Sequence, residues 1–247
     1  MAVVPDRQVA FVFGRPPAQT IAVASLADGR MVRRLERVRG VGIQGLASSA
    51  DGKTLYYVAD GTVWAIPASD GEPRKIRAGD GVVVDAGRQE LLIKLHEKQG
   101  IRLVRVPIAR GAERAISLPG DLRLTRAPFS PNAVGKDGRI ALQGSTRDSW
   151  FWRPALLDPE TGKLERIPIA YEADFDFPGW TSDGRIVRFA LPIRSTLWRF
   201  RENHDRVRDR VVTPIYSESS SPAQQVVIPR ATSCHPQRNK LSSRAQR

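Results

Sequence analysis

Short turns that contain glycine recur along the first part of the chain, and their spacing restricts what this chain can fold into. One type of turn precedes a short apolar run, as at Asp51-Gly52, Asp137-Gly138 and Asp183-Gly184, with a degraded copy at Ala86-Gly87. Aspartate and glycine readily adopt the positive φ angles that tight hairpin turns require. Each copy therefore predicts a reversal between two antiparallel β-strands.

A second type of turn follows the next strand-like run in each unit. It occurs at Asp28-Gly29, Asp70-Gly71, Arg110-Gly111 and Thr161-Gly162. The successive glycines (29 to 71, 71 to 111 and 111 to 162) are 42, 40 and 51 residues apart. A period of this length accommodates four short strands with their turns, so the sequence predicts a repeated four-stranded unit.

The runs between the turns have the side-chain alternation of half-buried strands, for example at 62–67, 102–107 and 196–200. The one segment with a helical alternative is 30–39, where Met31, Leu35 and Val38 could form an apolar stripe. Because this segment follows the turn at Asp28-Gly29, where the other units have their fourth strand, we expect a strand there.

The predicted fold class is all-β, with the four-stranded blades of a β-propeller. Blades are expected over 41–77, 81–118 and 125–169, with a partial blade at 9–35 that lacks its opening strand and another at 174–200 that lacks its closing strand. This gives about four and a half blades. Two readings follow: the two incomplete blades complete one another, or, as we favour, the chain is a truncated part of a longer ring.

Residues 202–247 lack the repeat turns and contain few large apolar residues. We expect a disordered basic tail over 202–247 and the propeller over 1–201.

The formal net charge is +13, from 39 Lys and Arg against 26 Asp and Glu. The tail carries a larger share of this charge than its share of the residues. Most of the basic residues in the chain are arginine. The charge permits a nucleic-acid-binding function, which we regard as the least favoured alternative because the basic residues of the blades are dispersed.

Three segments of the 41–77 unit resemble TolB-like (WD-type) β-propeller repeats. They are Ser-x-Asp-Gly-Lys-x-Leu-Tyr-Tyr at 49–57, Gly-x-Val-Trp-x-Ile at 61–66 and Gly-Glu-Pro-Arg-Lys-Ile at 71–76. Repeats of this type occur in the C-terminal sensor regions of bacterial receptor-like serine/threonine kinases and in the propeller caps of prolyl-oligopeptidase-like peptidases. The resemblance implies a non-enzymatic module that binds a protein or a small ligand, as a fragment of a kinase-type sensor. The alternative that it implies is a propeller associated with an enzyme, either a peptidase cap or a metal-dependent lactone hydrolase.

Three carboxylates alternate along one short run that is expected to be the innermost strand of its blade. Glu172, Asp174 and Asp176 would share one face of that strand, where oxygen ligands could hold a cation such as Ca²⁺. A solvated acidic patch is the alternative that we favour, so no metal and no cofactor are expected.

Few other residues indicate chemistry. Gly40 to Gly45 match the letters of a dinucleotide-binding fingerprint, but the turn at Asp51-Gly52 leaves no room for the helix that this motif needs, so we expect an inner strand of small residues. Motifs for a nucleophile are absent from the sequence, and no catalytic residue is predicted. The aromatic residues Trp150 and Trp152 are candidates for a partner-binding contact, with packing between blades as the alternative.

Targeting signals are not evident in the sequence. Pro5 and Asp6 interrupt the region where a signal peptide would have basic and then apolar residues. No uncharged stretch reaches the length of about 18 residues that a membrane span requires. We therefore expect no membrane span, with a cytoplasmic location for the chain as it stands and an extracytoplasmic one if it belongs to a receptor kinase.

Overall fold

The computed structural model describes residues 1–147, 149, 151–168, 174–191, 197–198, 210–211 and 224–228. Every regular element in these residues is a β-strand, and successive strands pair antiparallel to form separate sheets. This confirms the predicted all-β fold with four-stranded blades. No helix in this part of the chain is long and apolar enough to span a membrane.

Four sheets contain four strands each, in the order of the sequence. The first sheet comprises β1 (Ala2–Val4), β2 (Gln8–Phe13), β3 (Thr20–Ser25) and β4 (Met31–Leu35), and the second comprises β5 (Gln44–Ser48), β6 (Thr54–Ala59), β7 (Thr62–Pro67) and β8 (Arg74–Ala78). The third comprises β9 (Gly81–Asp85), β10 (Glu90–Glu97), β11 (Gly100–Pro107) and β12 (Arg114–Ile116), and the fourth comprises β13 (Arg123–Leu124), β14 (Ile140–Ser145), β15 (Arg153–Leu157) and β16 (Leu164–Arg166).

The predicted turns lie where the sequence places them. Turns of the first type connect the first and second strands of a sheet, and turns of the second type connect the third and fourth strands. The segment with a helical alternative forms β4, which pairs with β3 through partners such as Ile21 and Leu35. The expected strand at this position is therefore confirmed.

The expectation that the first blade lacks its opening strand is wrong. β1 pairs with β2, with Ala2 opposite Ala10 and Val4 opposite Gln8. The strand has only three residues, and its turn uses Asp6 and Arg7 at φ angles of 60° and 55° in place of aspartate and glycine. Without glycine, the usual residue for positive φ, the turn carries no signature that a search for repeats can find.

The predicted inner strand of small residues at Gly40 to Gly45 begins later than expected, at Gln44. Gly40 and Gly42 lie in the connection from the first sheet, at φ angles of 83° and 66°. A Cβ atom on Gly40 would lie 2.6 Å from the Cβ atom of Ala59, so this connection passes too close to β6 for any larger residue.

Neighbouring sheets pack face to face through apolar clusters. Alternate residues of β10 face opposite neighbours: Leu91 and Ile93 pack against the second sheet, whereas Leu92 packs against the fourth. Contacts between β1 and β5, and between β5 and β9, place the first strands of successive sheets side by side. This is the arrangement of blades around an axis, with the first strand of each sheet innermost.

A fifth sheet contains β17 (Asp174–Trp180), β18 (Ile186–Leu191) and β21 (Gln224–Ile228). The sequence favours 196–200 as the strand after β18, but β21 occupies that place, with Val227 opposite Val187. Its run of β-branched residues suits a strand that pairs with an apolar neighbour. Two short strands, β19 (Leu197–Trp198) and β20 (Arg210–Val211), pair with each other. The boundary between propeller and tail at 201/202 stays a prediction, because most of the surrounding residues lie outside those described.

Candidate functional site

The connections between strands divide each sheet into two ends. At the end that we call the turn end, connections of three to six residues join the first strand to the second and the third to the fourth, except in the fourth sheet, where the first-to-second connection runs over 125–139. At the opposite end, the loop end, the second strand joins the third and the chain passes to the next sheet. The second-to-third connections of the second and third sheets have two residues each, 60–61 and 98–99, whereas those of the first and fourth have six and seven, 14–19 and 146–152. Long loops on a rigid scaffold are where binding residues concentrate.

The 14–19 loop lines a cavity of about 300 Å³, which we call the Pro16 cavity. Two carboxylates face it. Asp60 accepts a hydrogen bond from the backbone N–H of Val41 at 3.0 Å, and Asp80 accepts one from the backbone N–H of His96 at 2.7 Å. The remaining described lining has no charged side chain, so the two carboxylates give this cavity a negative charge.

The 146–152 loop lines a cavity of about 210 Å³, which we call the Phe151 cavity. Hydrogen bonds within the loop hold its shape. Ser145 Oγ donates to the carbonyl oxygen of Ser149 at 3.0 Å, and Ser149 Oγ accepts from the backbone N–H of Phe151 at 3.2 Å. The wall contains apolar side chains and two arginines, and its residues are Leu122, Gly144, Ser145, Thr146, Ser149, Phe151, Arg153, Pro154, Ala155, Leu164 and Arg166.

Sequence reasoning identified the aromatic group beside this cavity but not the cavity itself. Trp150 lies outside the described residues, and Trp152 is half-buried and engaged in an interaction with the rest of the chain. The partner-binding role of both tryptophans stays a prediction. Phe151 contacts the cavity directly, and Arg153 and Arg166 were not predicted at all. The signal that could have found them is the unusually long interval between the second and third strands of this unit.

Asp174 and Asp176 of the acidic run lie in β17, the first strand of the fifth sheet. Asp176 accepts a hydrogen bond from Gln143 Nε2 at 2.7 Å, which connects the fourth and fifth sheets. Asp174 begins β17, and Glu172 lies outside the described residues. Within the residues that the structure describes, no group of three potential metal ligands comes together. Cation binding by these carboxylates therefore stays untested.

Lys94 is a buried cation that the sequence does not distinguish from a surface lysine. Its Nζ donates hydrogen bonds to the carbonyl oxygens of Thr125 at 3.1 Å and Ala127 at 2.7 Å, and lies 4.3 Å from the centre of the Phe129 ring. The space around it is about 10 Å³, which is too small for a ligand. Lys94 thus connects the third sheet to the connection between β13 and β14 of the fourth sheet. Burial lowers the pKa of Lys94 to about 8.

This buried cation predicts a pH dependence of stability. Because the pKa of Lys94 is lower in the folded chain than in the unfolded chain, the unfolded chain binds more protons above the folded pKa. The free energy of unfolding should therefore rise with pH, by about 1 kcal/mol from about pH 7.5 to about pH 9, relative to a Lys94→Met variant. Urea unfolding of both proteins across this range measures the difference. Parallel pH profiles for the two proteins would contradict the assignment.

Comparison with known proteins agrees with this geometry at the level of the fold. No protein-family model matches the sequence, and no curated protein matches it. Solved structures do match. TolB from Acinetobacter baumannii aligns with a TM-score of 0.59 and 15% identity, over 76% of this chain and 48% of that one. A puromycin-hydrolyzing peptidase of Mycobacterium tuberculosis aligns with a TM-score of 0.56 and 20% identity, over 75% of this chain and 32% of that one.

The β-propeller domain of the Trilobed protease from Pyrococcus furiosus also aligns, with a TM-score of 0.53 and 15% identity, over 77% of this chain and 64% of that one. The chain thus spans about half the length of TolB and about a third of the peptidase. The successive antiparallel sheets and these alignments define a β-propeller. Its fold is that of the TolB-like propellers, as the turn and strand motifs predict.

Proposed function

We propose that this propeller is a non-enzymatic module that binds a protein or a small ligand at its loop end. The observation that supports the proposal is the pair of long loops, 14–19 and 146–152, each of which lines a cavity of a few hundred cubic ångströms. The other second-to-third connections of the four complete sheets have only two residues. Pockets of this kind, with apolar walls and a few polar groups, are typical of binding sites.

The context of the module is a further part of the proposal. The proposal that the module belongs to the sensor region of a receptor-like kinase rests on the sequence resemblance alone. A propeller associated with a peptidase is the second candidate, and the alignments with a puromycin-hydrolyzing peptidase and with the propeller of the Trilobed protease favour it at the level of the fold. In either context the catalytic groups would belong to another part of a larger protein, and the propeller would supply binding.

Replacing a long loop by a short turn tests the binding role. Residues 146–152 are exchanged for Asn-Gly, which forms a two-residue hairpin turn. A matched control makes the same exchange at 26–30, an exposed connection at the turn end of the first sheet. Peptides selected by phage display on the full chain are then measured by fluorescence polarisation against the parent and both variants.

We expect the 146–152 exchange to weaken the selected peptides by at least about tenfold, which corresponds to the loss of one or two well-made contacts. The 26–30 exchange should leave their affinity unchanged, and thermal unfolding should show that both variants fold. If the peptides bind all three proteins equally, the loop end of the fourth sheet is not the binding site and the proposal fails there.

A further inference from the structure

We propose that the Phe151 cavity binds an anionic group, a carboxylate or a phosphate, attached to an apolar body. This inference rests on the proposed function, because it assigns a class of ligand to one of the two cavities at the loop end. Arg153 and Arg166 both line the cavity. Guanidinium groups bind carboxylate and phosphate oxygens through parallel charge-assisted hydrogen bonds.

The charges of these two arginines are not compensated within the described part of the chain. Among the residues that the structure describes, the wall contains no carboxylate, and no ion pair joins Arg153 or Arg166 to an acidic residue. Arg139, in the turn directly before β14, differs, because it pairs with Asp137 at 2.7 Å and with Glu165 at 3.3 Å. The Phe151 cavity therefore has two positive charges available to a ligand, and the net charge of +13 favours the approach of an anion.

The remainder of the wall determines what else the ligand must carry. Leu122, Leu164 and Pro154 offer an apolar surface, and the Phe151 ring lies 5.8 Å from the Arg153 guanidinium carbon. An apolar group packed against this surface would bury area that water now covers. The hydroxyl groups of Ser145 and Ser149 are already hydrogen-bonded within the loop, so Arg153, Arg166 and the Thr146 hydroxyl are the side-chain donors that the described wall offers to a ligand.

The second cavity at the loop end has the opposite charge. Asp60 and Asp80 line the Pro16 cavity, and none of the described residues that line it is basic. An anion should therefore select the Phe151 cavity over the Pro16 cavity. This difference gives the inference a spatial test as well as an affinity test.

Three small probes with the same ring separate charge from shape. Benzoate and phenyl phosphate carry the two anionic groups, and benzamide is the neutral control. Titration of the ¹⁵N-labelled full chain by NMR reports both affinity and position. We expect benzoate, phenyl phosphate or both to bind at least about tenfold more tightly than benzamide, since a charged partner strengthens a hydrogen bond by this order. The amide shifts should concentrate at 146–153.

The relative affinity of the two anions shows whether a carboxylate or a phosphate is the better ligand. Equal binding of benzamide and benzoate would overturn the inference, and so would amide shifts confined to the Pro16 cavity. Arg153→Gln and Arg166→Gln should each remove most of the preference for the anion. Arg110→Gln is the matched control, because Arg110 is exposed at the turn end and its substitution removes one positive charge, as the other two do.

Outcomes for the inference and for the proposed function are separable. If Arg110→Gln weakens the anions as much as Arg153→Gln does, the attraction is a property of the whole surface and the inference is wrong. If Arg153→Gln fails to fold, the exposed Arg166 supplies the same test. If the 146–152 exchange abolishes peptide binding while benzoate and benzamide bind equally, the proposed function stands and the anionic ligand does not.

Discussion

Replacing Glu90 by glutamine should lower the free energy of unfolding by about 3 kcal/mol, because it removes one charge from a buried ion pair and leaves the other. Glu90 is 7% exposed and Arg105 is 4% exposed. The Arg105 Nη2 atom lies 2.6 Å from Glu90 Oε2, and Arg114 Nη2 lies 2.6 Å from Glu90 Oε1. Chemical denaturation of the parent and the variant measures the loss.

The surrounding charges show why Glu90 is the critical partner. Arg105 also pairs with Glu160 of the fourth sheet, but the Glu160 side chain is half exposed, and Asp85 is 4.0 Å away. Water screens the first of these interactions, and distance weakens the second. Glu90 supplies the close, buried negative charge for Arg105, which has no comparable replacement among the described residues.

Two controls separate the buried pair from an ordinary surface pair. Glu72→Gln removes a carboxylate that lies 2.7 Å from Arg37 with a side chain that is 67% exposed, and it should cost at most about 1 kcal/mol. The double variant Glu90→Gln with Arg105→Met removes both charges and should recover part of the loss, because no unpaired charge then remains buried. A loss for Glu90→Gln no greater than for Glu72→Gln would show that the pair is not critical.

A methyl group added at Gly79 should also destabilise the chain, by about 2 kcal/mol. Gly79 is buried in the connection between the second and third sheets. A Cβ atom there would lie 2.6 Å from Ile93 Cγ2 and 2.9 Å from Val63 Cγ2, and both of these side chains are fully buried. Neither can move without disturbing the interface between the two sheets, so Gly79→Ala forces the sheets apart.

The matched control for this substitution is Gly120→Ala. Gly120 is exposed, and no atom lies within 4 Å of the position its Cβ would take. Neither glycine has a positive φ angle, so backbone strain does not distinguish the two variants. The midpoint of thermal unfolding should fall for Gly79→Ala and stay within error for Gly120→Ala. Equal midpoints would mean that the interface absorbs the methyl group.

The predicted and observed elements agree where the signal is local. Asp51-Gly52 and Asp137-Gly138 form the expected turns because glycine readily adopts the positive φ that Gly52 and Gly138 have. β1 was missed because Asp6 and Arg7 adopt the same backbone conformation without glycine. The place of β21 was not predicted, because pairing between strands far apart in the chain depends on which apolar strand edge is unpaired. The residues next to β21 in the sequence do not indicate that edge.

The amino-acid sequence by itself determined the repeat, its period and the all-β class of this protein. Turn chemistry and the alternation of apolar side chains act over a few residues, so they can be recognised without coordinates. Only the tertiary structure decided which charges are buried and which face a cavity. Lys94 meets the carbonyl oxygens of Thr125 and Ala127 only because the third and fourth sheets pack together. Arg153 lines a cavity with Leu122 only because strands distant in the sequence are brought together in the fourth sheet. Burial and electrostatics depend on neighbours distant in the chain, which is why the candidate site emerged from the fold.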